Sequence, residues 1–436
     1  MPEVATQTSP EQEQAPGRGK IIAASVIGNL FEWYDFTVYG FFAPVIAVLF
    51  FGPSHDGGNL LKAFAVFAVG YFARPLGAVI FGSIGDRLGR KKALLFSLGV
   101  MAMPTLGLVF IPTWESVGIL SPILLILFRV IQGISIGGEF TGATAYLSEH
   151  SEQGKRGFHG AMTVSSAMLG ILLGSLVFTV MEWIFEPAVL LAWGWRLAFA
   201  GGLMILVCAA WLRWQMPVSP HFEKAKAAGT LSKQPVRECL RTQRRSLFRA
   251  ILLISFPAML CYAMTVYFSE FLYTQGHLPK PLAGLIVTVS IGISAVLPLV
   301  IGAASDRYGR RPFIRVAFLI GTAWAIPLFL LAGMGVPAYA WLAALVGSIL
   351  LGTMQGVYPA TLTEMFPTST RYTGTSIAYN VSFAVLGGTF PLVAAWLVQM
   401  TGNSLAPGLY LGIGGLISII LIWRIPETGL SPLRSD

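Results

Sequence analysis

The first long apolar run of the chain carries Asn29, Glu32, Asp35 and Tyr39, spaced by three, three and four residues. On a helix that spacing sets them on one stripe. Two carboxylates one turn apart repel each other, and an apolar surround disfavours their charge. Both effects favour the protonated form, so Glu32 or Asp35 is a candidate to load and release a proton. The structural alternative is a buried ion pair with an arginine that fixes helix packing. Arg74 and Arg129 also lie inside apolar runs. A guanidinium stays charged at any usable pH and grips a carboxylate with two parallel hydrogen bonds. Each is therefore a candidate anchor for a substrate carboxylate. Arg129 can instead pair with Glu139, Asp35 or Glu32, and Gln132 can face the same cavity or simply satisfy Arg129. Tyr379 and Asn380 are further hydrogen-bonding candidates, far along the chain. Tyr267, Glu270 and Tyr273 are expected on one face near a helix end, where Glu270 is either a gate element or a headgroup-solvated charge. Trp33, Tyr34 and Phe36 beside the acids read as packing before they read as a cation cage.

The elements that must position these residues are membrane spans. Of the 436 residues, 55% are hydrophobic and 11% charged, against roughly a quarter charged in soluble domains. A span needs about 20 apolar residues to cross a ~30 Å hydrocarbon core. Twelve such runs are predicted, at 21–50, 60–84, 93–111, 118–147, 158–185, 190–213, 250–273, 281–304, 313–334, 338–363, 374–400 and 406–425. They form two six-helix bundles, 21–213 and 250–425, joined by the basic loop 214–249. That loop is expected to lie on an anionic lipid surface. Residues 1–20 are a polar tail without a basic n-region, so the first span is read as uncleaved, and 426–436 form a second tail. A charge at mid-bilayer costs about 2.5–3.5 kcal/mol on insertion scales, so each one inside a span is a functional candidate.

Most of the 29 lysines and arginines fall in the tails and in the loops after even-numbered spans. Both termini are therefore expected on the cytoplasmic side. This placement also explains the +9 net charge without nucleic acid. The halves repeat. Gly82-Ser-Ile-Gly-Asp86-Arg87-Leu-Gly89-Arg90-Lys91 follows span 2, and Gly302-Ala-Ala-Ser-Asp306-Arg307-Tyr-Gly309-Arg310-Arg311 follows span 8 at an offset of 220. Glu149 and Arg156 after span 4 match Glu364 and Arg371 after span 10 at an offset of 215. Such duplication builds transporters that rock around a midplane site. Span 4 adds Gly133, Gly137, Gly138 and Gly142, overlapping G-x-x-x-G pairs that let helices approach closely.

The twice-occurring G-x-x-x-D-R-x-G-R-[KR] element resembles the major facilitator superfamily. Within it, Gly28-Asn-Leu-Phe-Glu-Trp-Tyr-Asp-Phe36, Arg74-Pro-Leu-Gly77, Arg129-Val-Ile-Gln-Gly-Ile-Ser-Ile-Gly-Gly-Glu139, Trp193-Gly-Trp-Arg196 and Gly387-Gly-Thr-Phe-Pro391 resemble the metabolite:proton symporter family. The resemblance covers nearly the whole chain. It implies an all-α fold of twelve transmembrane helices in two pseudo-symmetric bundles, and proton-coupled import across a bacterial inner membrane. Implied substrates range from di- and tricarboxylates and keto acids to zwitterions such as proline and betaine. It also implies that Asp86, Arg90, Glu149, Arg156, Asp306, Arg310, Glu364 and Arg371 form charge clusters that gate the inner side. At the ends of spans 2 and 8, Asp86 and Asp306 are placed to face helix N-termini, whose dipoles favour negative charge. Two departures stand out. Osmosensing members carry a long C-terminal coiled coil, whereas this chain ends about ten residues after span 12, an expectation against an osmosensor. Span 5 has Thr163, Ser165 and Ser166 where relatives often carry glutamines.

No phosphate loop, H-E-x-x-H or G-x-S-x-G occurs, so neither nucleotide-driven transport nor hydrolytic catalysis is indicated. The five histidines are scattered, and Cys208, Cys239 and Cys261 have no metal or disulfide spacing. No cofactor or metal is expected, and the working unit is expected to be a monomer in the bilayer. The favoured expectation is proton symport of a small organic acid. A zwitterion symporter or an exchanger on the same fold is the nearest alternative, and a sensor without transport a remote one.

Overall fold

The computed structural model describes residues 18–52, 58–88, 90–149, 151–152, 154–214, 235–367, 370–423 and 425–431. Among these the chain is helical, with no strand. Ten helices are long and apolar enough to cross a membrane. Span 1 makes an eleventh if its two pieces, Val26–Phe41 and Ala43–Phe50, are taken together across a 62° bend. Pro44 explains the start of the second piece, since proline fits the first helical turn and lacks the donor a continuous helix needs. The last apolar helix, Ala406–Ile422, has 17 residues.

Several spans are interrupted where the candidate residues lie. Span 4 runs from Leu120–Ile136 into Glu139–Glu149 across Gly137 and Gly138. Span 7 holds a π-helical turn, Ala263–Tyr267, between Arg244–Tyr262 and Phe268–Thr274. Span 11 holds another, Phe383–Gly387, after Arg371–Ser382. Such turns widen the helix and re-aim side chains. The bend at Phe42 and the π-turn at Ala263 sit at matching places of the two halves, offset by about 220 residues. Span 6 also opens on a π-helical turn, Leu190–Gly194, before Trp195–Trp214. Gly58–Leu88, Arg156–Ile184 and Lys280–Tyr308 are spans 2, 5 and 8.

Within the N-terminal half, span 2 lies against span 4 at very short range. A Cβ at Gly133 would collide with the Gly70 carbonyl, and one at Gly77 with the Ile134 carbonyl. The glycine pattern thus brings the helices carrying Arg74 and Arg129 into backbone contact. Between the halves, span 5 packs along span 8 and span 2 along span 11. The outward surface is apolar, with Phe72, Leu76, Phe96, Met103, Val296 and Val300 exposed, as a lipid solvent demands. The ionisable side chains instead face inward: Glu32, Asp35 and Arg129 are fully buried and Arg74 is nearly so.

Candidate functional site

The structure gathers most of the sequence-derived residues into one central layer. Arg74 projects from span 2 toward the other half, where its Nε donates to Asn380 Oδ1 at 3.2 Å. Asn380 is itself held by donation from Nδ2 to the Gly137 carbonyl at 2.6 Å and the Ser376 carbonyl at 2.9 Å. The two Nη nitrogens of Arg74 have no hydrogen-bond partner. Rings enclose them instead. The guanidinium carbon lies 5.2 Å from the Tyr71 ring centre, 5.4 Å from Trp33, 5.6 Å from Tyr379 and 5.8 Å from Phe383. Tyr379 stacks on Phe140 at 4.2 Å, and Tyr262 meets Tyr71 edge-on at 4.9 Å. The hydroxyls of Tyr71, Tyr262 and Tyr379 are buried and unpartnered. Trp33 and Phe36 therefore do more than pack: with rings from spans 2 and 11 they surround the Arg74 guanidinium.

One layer over, Arg129 forms no ion pair with any described residue, so the alternative in which it pairs directly with Glu139, Asp35 or Glu32 is not what the structure shows. Its Nη1 donates to Gln132 Oε1 at 2.8 Å and to the Phe36 carbonyl at 3.2 Å. Gln132 passes the contact on by donating to Asp35 Oδ2 at 2.7 Å, and Thr105 donates to the same oxygen at 2.7 Å. Asp35 Oδ1 is left unpartnered, as are Arg129 Nε and Nη2. The Arg129 guanidinium sits 4.0 Å from the Phe36 ring centre and 4.5 Å from that of Tyr39. Tyr39 contributes its ring face here, while its hydroxyl donates to the Ala63 carbonyl at 3.2 Å. Asn29 is spent on span 5, donating to the Thr163 carbonyl at 2.7 Å and Ser166 Oγ at 2.9 Å. Glu32 differs from Asp35: neither of its oxygens finds any partner. A carboxylate left so would be costly, whereas the neutral acid is tolerable.

Glu139 pairs with Arg213, a residue the sequence places at the end of span 6 among ordinary loop cations. Both are buried, and Ser97 donates to Glu139 at 3.0 Å. Gly28 makes the room, since a Cβ there would strike the Arg213 guanidinium. Tyr71 and Tyr262 were also missed. Single polar groups in apolar runs were their only signal. Tyr267, the last residue of the π-turn, packs its ring among Phe271, Phe329 and Phe390.

A second assembly lies at the side of the chain termini. Asp306 accepts from the Gly157 and Phe158 backbone nitrogens, at 2.7 and 3.0 Å, in the first turn of span 5. It thus meets a helix N-terminus of the other half. Arg310 donates to Asp306 at 2.9 Å and to Glu364 at 3.1 and 3.4 Å. Arg156 crosses the halves to Glu364 at 3.3 Å. The chain after span 12 straps over these groups. Glu427 accepts from the backbone nitrogens of Arg310 and Arg311 at 2.8 and 3.0 Å, Thr428 donates to Glu364 at 2.7 Å, and Arg156 donates to the Ser431 carbonyl at 2.8 Å. Burial alone would push the Glu427 carboxyl up, but backbone N–H donors outweigh it and hold the group below the usual carboxylate range. Arg371 donates to the Thr363 carbonyl at 3.1 Å. Helix Arg90–Phe110 begins at Arg90 and helix Glu139–Glu149 ends at Glu149, but the side chains of Asp86, Arg90 and Glu149 lie outside the described residues. No group of three metal-ligating side chains occurs among the described residues.

A family model described as Major Facilitator Superfamily matches residues 25–391. This chain belongs to the major facilitator superfamily. It is 34% identical over 428 residues to a glycine betaine/proline/ectoine/pipecolic acid transporter of Dickeya dadantii, covering 95% of this chain and 84% of that protein. It is equally 34% identical, over 425 residues, to the proline/betaine transporter of Escherichia coli K12, covering 95% and 85%. A crystal structure of a D-xylose–proton symporter superposes with a TM-score of 0.76 at 19% identity, covering 95% of this chain and 99% of that one. The chain is thus a multi-pass membrane transporter and not an enzyme, with two assemblies to account for: an unsatisfied central layer and a closed charge cluster.

Proposed function

We propose that this transporter is a proton-coupled importer of a small zwitterion of the proline and betaine kind, working by alternating access. The observation that carries the reading is the buried Arg74 guanidinium, unsatisfied at both Nη atoms and enclosed by rings from both halves. A substrate carboxylate would take those two donors as a bidentate pair. The ring faces would then hold the ammonium end, for which aromatic boxes are suited. The layer offers one free guanidinium, enough for one substrate carboxylate. Arg129 and Asp35 are tied through Gln132, leaving Arg74 for the substrate and Glu32 without a partner. A di- or tricarboxylate would bring more negative charge than Arg74 can match. The relatives named for betaine and proline point the same way. The zwitterion reading therefore replaces the organic acid as the favoured one.

Asp35 is assigned the coupled proton, since Oδ1 is open while Oδ2 is held by Thr105 and Gln132, and Glu32 is its alternative. Arg129 and Gln132 would relay the proton's arrival to the Tyr39 and Phe36 rings and so to the box. Asn380 and Tyr379 would position Arg74 and the substrate; Asn29 would hold spans 1 and 5 together. The cluster of Asp306, Arg310, Glu364 and Arg156, with Asp86, Arg90, Glu149 and Arg371 as its repeat, would form the cytoplasmic gate. This assignment puts both termini in the cytoplasm of a bacterial cell, with the protein in the inner membrane. Reconstituted protein with an internal pH dye tests the whole reading. Internal acidification on adding betaine or proline, and none with succinate or citrate, is the expected result. Acidification with the dicarboxylates alone would overturn the substrate assignment.

A further inference from the structure

A cleft opens between the halves on the side away from the charge cluster, lined by spans 1, 2, 5, 7 and 8. Three charges face it. Glu182 comes from the end of span 5, Glu270 from the end of span 7, and Lys280 from the start of span 8. They lie within electrostatic reach of one another, yet none closes an ion pair with another described residue. Lys280 rests its ammonium over the Tyr273 ring, 4.7 Å from its centre. Both carboxylates are half-buried and belong to different halves, so their repulsion opposes closure of the cleft. Phe41 and Phe64 supply aromatic wall between them. Gly40 also lines the cleft, and a Cβ there would press on Val266 and Phe67 at 3.1 and 3.2 Å. Phe67 stacks on Tyr39, and Tyr39 covers Arg129, so the cleft ends directly above the central layer.

We propose that this cleft is an entry-side binding site for an ammonium zwitterion, with Glu182 and Glu270 taking the cationic head from opposite halves and Lys280 the carboxylate. The proposal rests on the zwitterion reading of the central site. Two acids and one base leave the cleft one charge short of neutral, which admits a cationic head and repels a dianion. A bound head relieves the repulsion between Glu182 and Glu270. Occupancy then favours approach of the halves on this side, as alternating access requires of a substrate that has just entered.

The test uses the full-length protein in proteoliposomes, with labelled glycine betaine uptake driven by an imposed pH gradient. Glu182→Gln and Glu270→Gln are each expected to raise KM about tenfold, near 1.4 kcal/mol of lost interaction, with maximal rate within about twofold. Tetramethylammonium, which lacks a carboxylate, is expected to compete with betaine in the wild type and to lose that competition in both glutamine variants. Lys280→Gln is expected to weaken betaine and spare tetramethylammonium. The two glutamates sit on different halves, so one variant carries the test if the other fails to fold. A wild type that moves no zwitterion removes the central reading and this site together. A wild type that moves betaine, with KM and tetramethylammonium competition unchanged in both variants, removes the cleft site alone.

Discussion

The charge cluster beside the termini and the central layer hold similar residues in opposite conditions. In the cluster, Asp306, Arg310, Glu364 and Arg156 each close two or more contacts, several across the halves. In the centre, Glu32, Arg74 and Arg129 keep unpartnered polar atoms although they are at least as well buried. Each buried group without a partner costs about 1–3 kcal/mol. The cluster stabilises one closed arrangement. The centre leaves donors and acceptors open, and in the proposed mechanism a ligand or a proton brings the missing contact.

The sharpest test of that contrast removes the open carboxylate. Asp35→Asn is expected to bring proton-driven accumulation of betaine to no excess over the outside, while betaine–betaine exchange persists. An Asp35→Asn protein that still concentrates substrate would move the proton to Glu32. Next, Arg74→Lys is expected to lower kcat/KM for uptake by about 30- to 150-fold, as removing a bidentate partner at a buried site costs roughly 2–3 kcal/mol. Its thermal stability should hold or rise, because the arginine it replaces is unsatisfied. In the closed cluster Arg310→Lys should do the reverse. Stability should fall, and a cysteine placed on the terminal side should label faster, by about tenfold, as the gate opens more often. Equal loss of stability in both variants would erase the distinction between the two regions.

Smaller effects refine it. Trp33→Leu is expected to raise KM for betaine about five- to thirtyfold, the ~1–2 kcal/mol of a desolvated cation–π contact, and to affect proline less. Glu427→Gln should lower the melting temperature slightly at neutral pH, with about 0.3–1 kcal/mol lost from the helix end it caps. Because this carboxyl sits below its ordinary range when folded, its contribution is present above the unfolded value. The contribution disappears as pH falls through the lowered folded one. The gap between wild type and Glu427→Gln should therefore close in strong acid.

The span positions, the duplicated half and the buried ionisable residues were legible in the amino-acid order. All three depend on local quantities: hydropathy over about 20 residues, helical period and charge in the loops. Asp306 at a helix N-terminus was likewise foreseeable from its place at a span end. Partner choice was not. Glu139 is ten residues from Arg129 but pairs with Arg213, since the break at Gly137–Gly138 turns it toward span 6. Asp35 reaches Arg129 only through Gln132. The proposed substrate class was half legible: an intramembrane arginine suggests a carboxylate, whereas the proposed ammonium site would be built of ring faces. Those rings come from Trp33, Tyr71, Tyr379 and Phe383, in spans 1, 2 and 11, so no local window contains the box. Sequence determined which groups enter the membrane, because lipid makes that expensive residue by residue. Which groups meet there was decided by tertiary structure, because a contact such as Arg74 to Asn380 exists only once helices from both halves have packed.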